Sequence, residues 1–228
     1  MIETNDDIQG VVLVMDLEWV GNSLLPHQTH VTEIACMNVN TGNLFHRQLR
    51  SLAAPATTML DPSASKPVDV YYQLLSWLAA QSDSAIYLAA HNGIRFDAPV
   101  LRNALTSHNI PIPPNIFVVD TLYHSRYHIQ RQHVKLADGY GIDSLAAHCN
   151  IPVLSESRHT AVYDVNVLCQ ILLSLKSQYN IPLVSGAMQP LHTLSTMLVH
   201  GVGPRVSETL PCTGLRDMCE QIIWRYGN

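Results

Sequence analysis

The side chains best placed for chemistry are carboxylates standing where apolar runs end. Val11 to Met15 form such a run and lead directly into Asp16-Leu17-Glu18. A valine-rich run bounded by polar sequence reads as a buried central strand. Side chains alternate along a strand, so Asp16 and Glu18 share a face. Two adjacent carboxylates at the end of a core strand repel unless a cation lies between them, and an all-oxygen donor set suits magnesium or manganese. A strand that merely runs into solvent through a polar end would carry the same letters. Asp97 ends the stretch Ala90-His91-Asn92-Gly93-Ile94-Arg95-Phe96-Asp97, and His159 precedes Asp164 by five residues. Each has an ordinary explanation on its own. Asp97 suits a helix N-cap, Asp164 a first helical turn where the dipole favours an acid, and His159 is one of twelve histidines.

The elements that must position these groups are legible from hydrophobic pattern. Strands are expected at Val31 to Val39 and Asn43 to Leu49, joined by the turn cluster Asn40-Thr41-Gly42, which makes a three-strand meander with the first run. Val68 to Gln81 has apolar residues at helical spacing, and Ala85 to Ala90 is a short strand ending in the reversal signal His91-Asn92-Gly93. A helix from Asp97 to His108 tolerates Pro99 in its first turn. Ile116 to Val119 is a strand closing on Asp120-Thr121, and helices are expected over Asp143 to Cys149 and Thr160 to Gln178. His124 to Lys135 is the one markedly basic segment and shows no clear apolar period. The sum is a mixed α/β layered sheet, an antiparallel meander extended by parallel strands through helical crossovers and flanked by helices.

The chain has 228 residues, 47% hydrophobic and 14% charged, enough to bury a sizeable core in one domain with an extension. A net charge of -5 argues against a general polyanion-binding surface, leaving a local patch or a bound metal to hold nucleic acid. Cys36, Cys149, Cys169, Cys212 and Cys219 have no CxxC pairing, which reads as reduced thiols. The first seven residues are acidic where a signal peptide would be basic, and no apolar run approaches a membrane span. The expectation is an intracellular protein of nucleus or cytoplasm with no membrane partner.

Taken in order, Asp16-x-Glu18, His91-Asn92-Gly93-Ile94-Arg95-Phe96-Asp97 and His159-x4-Asp164 resemble the three motifs of the DnaQ-like, DEDDh family of 3′-to-5′ exonucleases. The resemblance covers roughly residues 10–178. Val118-Val119-Asp120-Thr121 and Ile142-Asp143-Ser144-Leu145 agree with it, and the wording around Asp97 and in Arg158-His159-Thr160-Ala161 is similar to the three-prime repair (TREX-type) exonucleases. A tyrosine-type relative would carry Tyr four residues before the last acid, where this chain has Thr160; Tyr163 is out of register. The histidine subtype is indicated.

The resemblance implies a ribonuclease H-like fold, an exonuclease domain over residues 8–180, and a C-terminal extension over 181–228 packed on that core. It implies two magnesium ions, with manganese able to substitute, held by Asp16, Glu18, Asp97 and Asp164. Paired ions of this kind lie about 3.5–4 Å apart and clamp the scissile phosphate between activated water and leaving oxygen. His159 would be the general base, a role its ordinary pKa near 6.5 suits. The substrate would be nucleic acid with a free 3′ end, single-stranded DNA before RNA, released as nucleoside 5′-monophosphates. An exoribonuclease, or a copy of the fold that binds nucleic acid or protein without turnover, are the alternatives; against the last, all five catalytic side chains are present.

Leu17, Trp19 and Val20 stand where many relatives carry Thr-Thr or Ala-Thr, so this chain departs from the pattern at the position that meets the terminal nucleotide. Trp19 offers a stacking face or serves as core. Asn92 suits either a sugar-phosphate contact or a turn. Arg95, with Arg126, Tyr127, His128, Arg131, His133 and Lys135, could track a phosphate backbone or form a solvated surface. Leu44, Phe45 and Leu49 on an edge strand make a homodimer conceivable. A last amphipathic helix is expected from Leu215 to Trp224.

Overall fold

The computed structural model describes residues 9–21, 29–50, 65–184 and 188–194. Strand β1 (Gly10–Gly21) pairs antiparallel with β2 (Thr29–Asn38), which pairs antiparallel with β3 (Leu44–Gln48). The turn between β2 and β3 closes on Asn38, whose Oδ1 accepts from the Asn40 and Thr41 amides at 3.0 and 3.1 Å, while Gly42 takes a φ of 72°. Helix α1 (Pro67–Ala79) leads to β4 (Ala85–Ala90), and α2 (Asp97–Ser107) to β5 (Ile116–Asp120). Helices α3 (Thr121–Arg131), α4 (Ile142–His148) and α5 (Ala161–Tyr179) follow, and the short β6 (Met188–Pro190) completes the sheet.

The sheet order is β3-β2-β1-β4-β5-β6, with β1, β4 and β5 parallel and the remaining neighbours antiparallel. This is the mixed sheet expected from the hydrophobic pattern, an antiparallel meander extended by parallel strands. Parallel strands need crossovers on the sheet faces, and α1 and α2 supply them. Alternation along β1 sorts its residues cleanly. Val11, Leu13, Met15 and Leu17 join the core under α1 and α2, whereas Val12 and Val14 pack on Ala161, Val165, Leu168 and Leu172 of α5. Asp16 and Glu18 continue the second row, so they emerge beneath the start of α5.

One element departs from the sequence expectation. The segment after Asp120 is helical, because its inward positions are Thr121, His124, Ser125 and Ile129; the helical period is present but written in polar letters. The beginning of the C-terminal segment enters the fold, with Ile181, Val184, Leu191 and Leu194 buried and β6 pairing with β5. The helix expected from Leu215 to Trp224, together with Cys212 and Cys219, lies outside the described residues. Among those described, no helix is long and apolar enough to cross a membrane.

Candidate active site

The acids converge because the sheet opens. Pairing between β1 and β4 ends at Val14 and Ala89, and beyond Ala90 the chain turns away through residues 91–96. That turn requires special backbone. Asn92 adopts a φ of 57°, and a Cβ on Gly93 would lie 2.4 Å from the Cβ of Ala90. The amide of Leu17 thereby loses a strand neighbour on the β4 side and donates instead to Asp97 Oδ1 at 3.1 Å. Asp97 is the first residue of α2 and only 4% exposed, so one hydrogen bond fixes it against the backbone between Asp16 and Glu18.

Asp120 braces the same turn from the next strand. It caps α3 through the amides of Leu122 and Tyr123 and also accepts from the Ile94 amide at 3.2 Å. His91 Nδ1 lies 3.2 Å from Thr121 Oγ1. The sequence marks Asp120 as the end of a strand but not as this brace, although Asp followed by a helix is an ordinary capping signal.

Asp164 comes from the other side, in the first turn of α5, where the helix dipole favours a carboxylate. His159 stands exposed before that helix with a φ of 67°, a conformation that histidine visits more readily than most residues. Tyr163 braces the approach, its hydroxyl accepting from the Leu154 amide at 2.6 Å. The donor atoms of Glu18, His159 and Asp164 all lie within 4.8 Å of one another.

Electrostatics joins Asp16 and Asp97 to this group. Burial, then the charges of Asp97, Asp164 and Glu18, push Asp16 up to about 9, against a partial opposing pull from Arg158. Burial raises Asp97 to about 7, with the Leu17 hydrogen bond acting the other way. Glu18 is also raised, by burial and then by Asp164, while His159 and Arg158 lower it and Glu33 adds to the rise. Glu33 is its cross-strand neighbour and is itself held by His46 Nε2 at 2.8 Å. Crowded acids that resist ionisation together are what a divalent cation relieves, and clustered carboxylate oxygens are suitable donors for magnesium or manganese. The residues fit a metal centre.

The expected substrate contacts fall into three kinds. The Leu17 side chain is core, 2% exposed; what it presents to the site is its amide. Trp19 is half-buried and stacks on Phe96 with ring centroids 6.5 Å apart and planes at 21°, and the exposed Arg95 guanidinium lies over the Phe96 ring, 5.4 Å from its centroid. This stepped aromatic pair, which includes a Phe96 given no role in the sequence reading, follows the β1 irregularity between Glu18 and Trp19. Val20 is 44% exposed beyond it. Asn92 is half-buried, and its carbonyl accepts the amides of Arg95 and Phe96.

Arg158 was quoted in the sequence only as part of a motif. Its guanidinium bonds Asp164 Oδ1 through Nη1 and Asp143 Oδ1 through Nε, the latter at 3.1 Å.

The architecture is shared with known nucleases. The chain is similar to E. coli exonuclease I in a zinc-bound complex with single-stranded DNA, at 14% identity and a TM-score of 0.61 over 75% of this chain and 42% of that one. The same enzyme with a dA16 oligonucleotide gives 15% identity and a TM-score of 0.58 over 76% and 42%. Cell-death related nuclease 4 gives 14% identity and 0.59 over 74% and 64%. The fold is therefore ribonuclease H-like, shared with these nucleases. The chain spans less than half the length of exonuclease I. No family model and no curated protein matches the sequence.

Proposed function

We propose that this protein is a metal-dependent 3′-to-5′ exonuclease of the DEDDh type, which shortens single-stranded DNA and releases nucleoside 5′-monophosphates. The observation that carries the reading is the convergence of Asp16, Glu18, Asp97 and Asp164, from separate segments, into one acid centre with the His159 imidazole beside it. The ssDNA and oligonucleotide complexes of the similar exonuclease I structures support the substrate class.

Each residue has a defined task. Asp16, Glu18, Asp97 and Asp164 would hold two divalent ions, and the chemistry these would supply when bound is positive charge against a scissile phosphate and a more acidic water. Asp97 is pinned by the Leu17 amide, so its carboxylate stays oriented whether or not the centre is loaded. His159, exposed and next to Glu18, accepts the proton of the attacking water on a ring nitrogen. Trp19 and Phe96 offer the terminal base an apolar step, and Arg95 on the rim faces the phosphate backbone.

The test is incubation of end-labelled single-stranded DNA and RNA with purified protein and magnesium, with Asp16→Asn as control. A ladder shortening from the 3′ end, absent in the control, is the expected result. Better cleavage of RNA would reassign the substrate, and binding of either polymer without shortening would reduce the protein to a binding module.

A further inference from the structure

Asp164 is claimed twice. Its carboxylate belongs to the group with Glu18 and His159 whose donor atoms lie within 4.8 Å, and its Oδ1 is also bonded by Arg158. One carboxylate cannot fully serve a guanidinium and a divalent ion, because each neutralises the charge that attracts the other. The arginine is well placed to act as the first of these cations. Its side chain is 15% exposed, it lies between α4 and α5, and its charge reaches Asp16, Glu18 and His91 as well as Asp164.

The other end of the guanidinium has somewhere to go. Asp143, at the start of α4, is 73% exposed and accepts from Nε at 3.1 Å. A pair that open to water contributes little to holding the arginine at rest, yet it costs little to retain when the inner contact is broken.

We propose that Arg158 is the resident counter-ion of the acid centre, and that loading is an exchange: a divalent ion takes Asp164 while the guanidinium withdraws onto Asp143. The proposal rests on the metal-centre reading above. It makes Asp143 part of the loading equilibrium although it lies outside the acid group.

The experiment is calorimetric titration of the metal-free full chain with manganese chloride, which reads binding without reference to turnover. Arg158→Gln removes the competitor and is expected to tighten manganese binding about tenfold, the scale of a hydrogen bond between charged groups. Asp143→Asn removes the landing place and is expected to weaken binding about two- to fivefold, as for an exposed ion pair. In the Arg158→Gln background Asp143→Asn is expected to change nothing, since its effect passes through the arginine. An Asp143→Asn effect that persists in that background would reduce the result to a general field and overturn the exchange. Should Arg158→Gln fold poorly in a melting scan, Arg158→Lys keeps the charge but lacks the rigid fork that spans the two carboxylates, and is expected to tighten binding by less; unchanged affinity there also overturns the proposal. Manganese binding that Asp16→Asn abolishes but Arg158→Gln leaves untouched would sink the exchange and spare the metal centre. No binding by the wild-type chain would sink both.

Discussion

Asp97 and Asp164 enter the same centre from the first turns of two helices, and the chain holds them in opposite ways. Asp97 is fixed to backbone by the Leu17 amide, on a turn that Asp120 braces from the neighbouring strand. Asp164 is fixed to a side chain, Arg158, on the segment that also carries His159. Both are buried, at 4% and 5% exposure, so burial does not separate them. The difference lies in what a cation could displace. Nothing that binds between the acids replaces an amide in the sheet, whereas a guanidinium can yield to another positive charge. The centre thus has a fixed wall and an adjustable one, and the His159 imidazole sits on the adjustable side.

The largest effect should come from the fixed wall. Asp97→Asn keeps an oxygen that accepts from Leu17 but removes a charge, so turnover is expected to fall by about 10³ or more, the scale of several kcal/mol of lost transition-state stabilisation. The metal-free melting temperature should hold or rise, because a buried like charge is gone. Single-turnover cleavage beside thermal denaturation in chelator decides it; a matching loss of stability would mean that Asp97 acts only through the fold.

On the adjustable wall, His159→Asn removes the imidazole with a residue that tolerates the same left-handed backbone. The expected cost is about 10²–10⁴ in rate with little change in melting temperature. Near-normal turnover would eliminate His159 as the base.

The smallest effect concerns protons. Asp16 and Asp97, raised from an ordinary 3.8 to about 9 and about 7, keep protons in the folded chain that the unfolded chain has already released. Unfolding over that range releases protons, so the metal-free protein should lose stability as pH rises from near 3.8 through about 7 to about 9. Melting scans with chelator and with magnesium check this. Magnesium should flatten the dependence, and a metal-free profile that rises over the same window would show that the acids are not crowded.

The sequence displayed the fixed wall more fully than the adjustable one. Val11 to Glu18 announces a strand and its acids, and the apolar stripe after Thr160 announces α5, because burial of branched side chains writes its period plainly. Helix α3 was hidden since His124 and Ser125 occupy its inward positions. Asp120 reads as the end of a strand, and only the coordinates show it reaching back to Ile94. Arg158 was hidden for a deeper reason. An arginine beside a histidine looks like surface, and its partners lie in helices separated by a loop. Hydrophobic period reports which face is buried, not which charges meet across elements.

The opening of the sheet beyond Val14 has a consequence for observation. A proton on the Leu17 nitrogen stays out of exchange with deuterated solvent only while a carboxylate from eighty positions further along the chain covers it. That one amide, followed in an isotope-exchange time course, reports how often strand and turn come apart, with no substrate present and no chemistry under way.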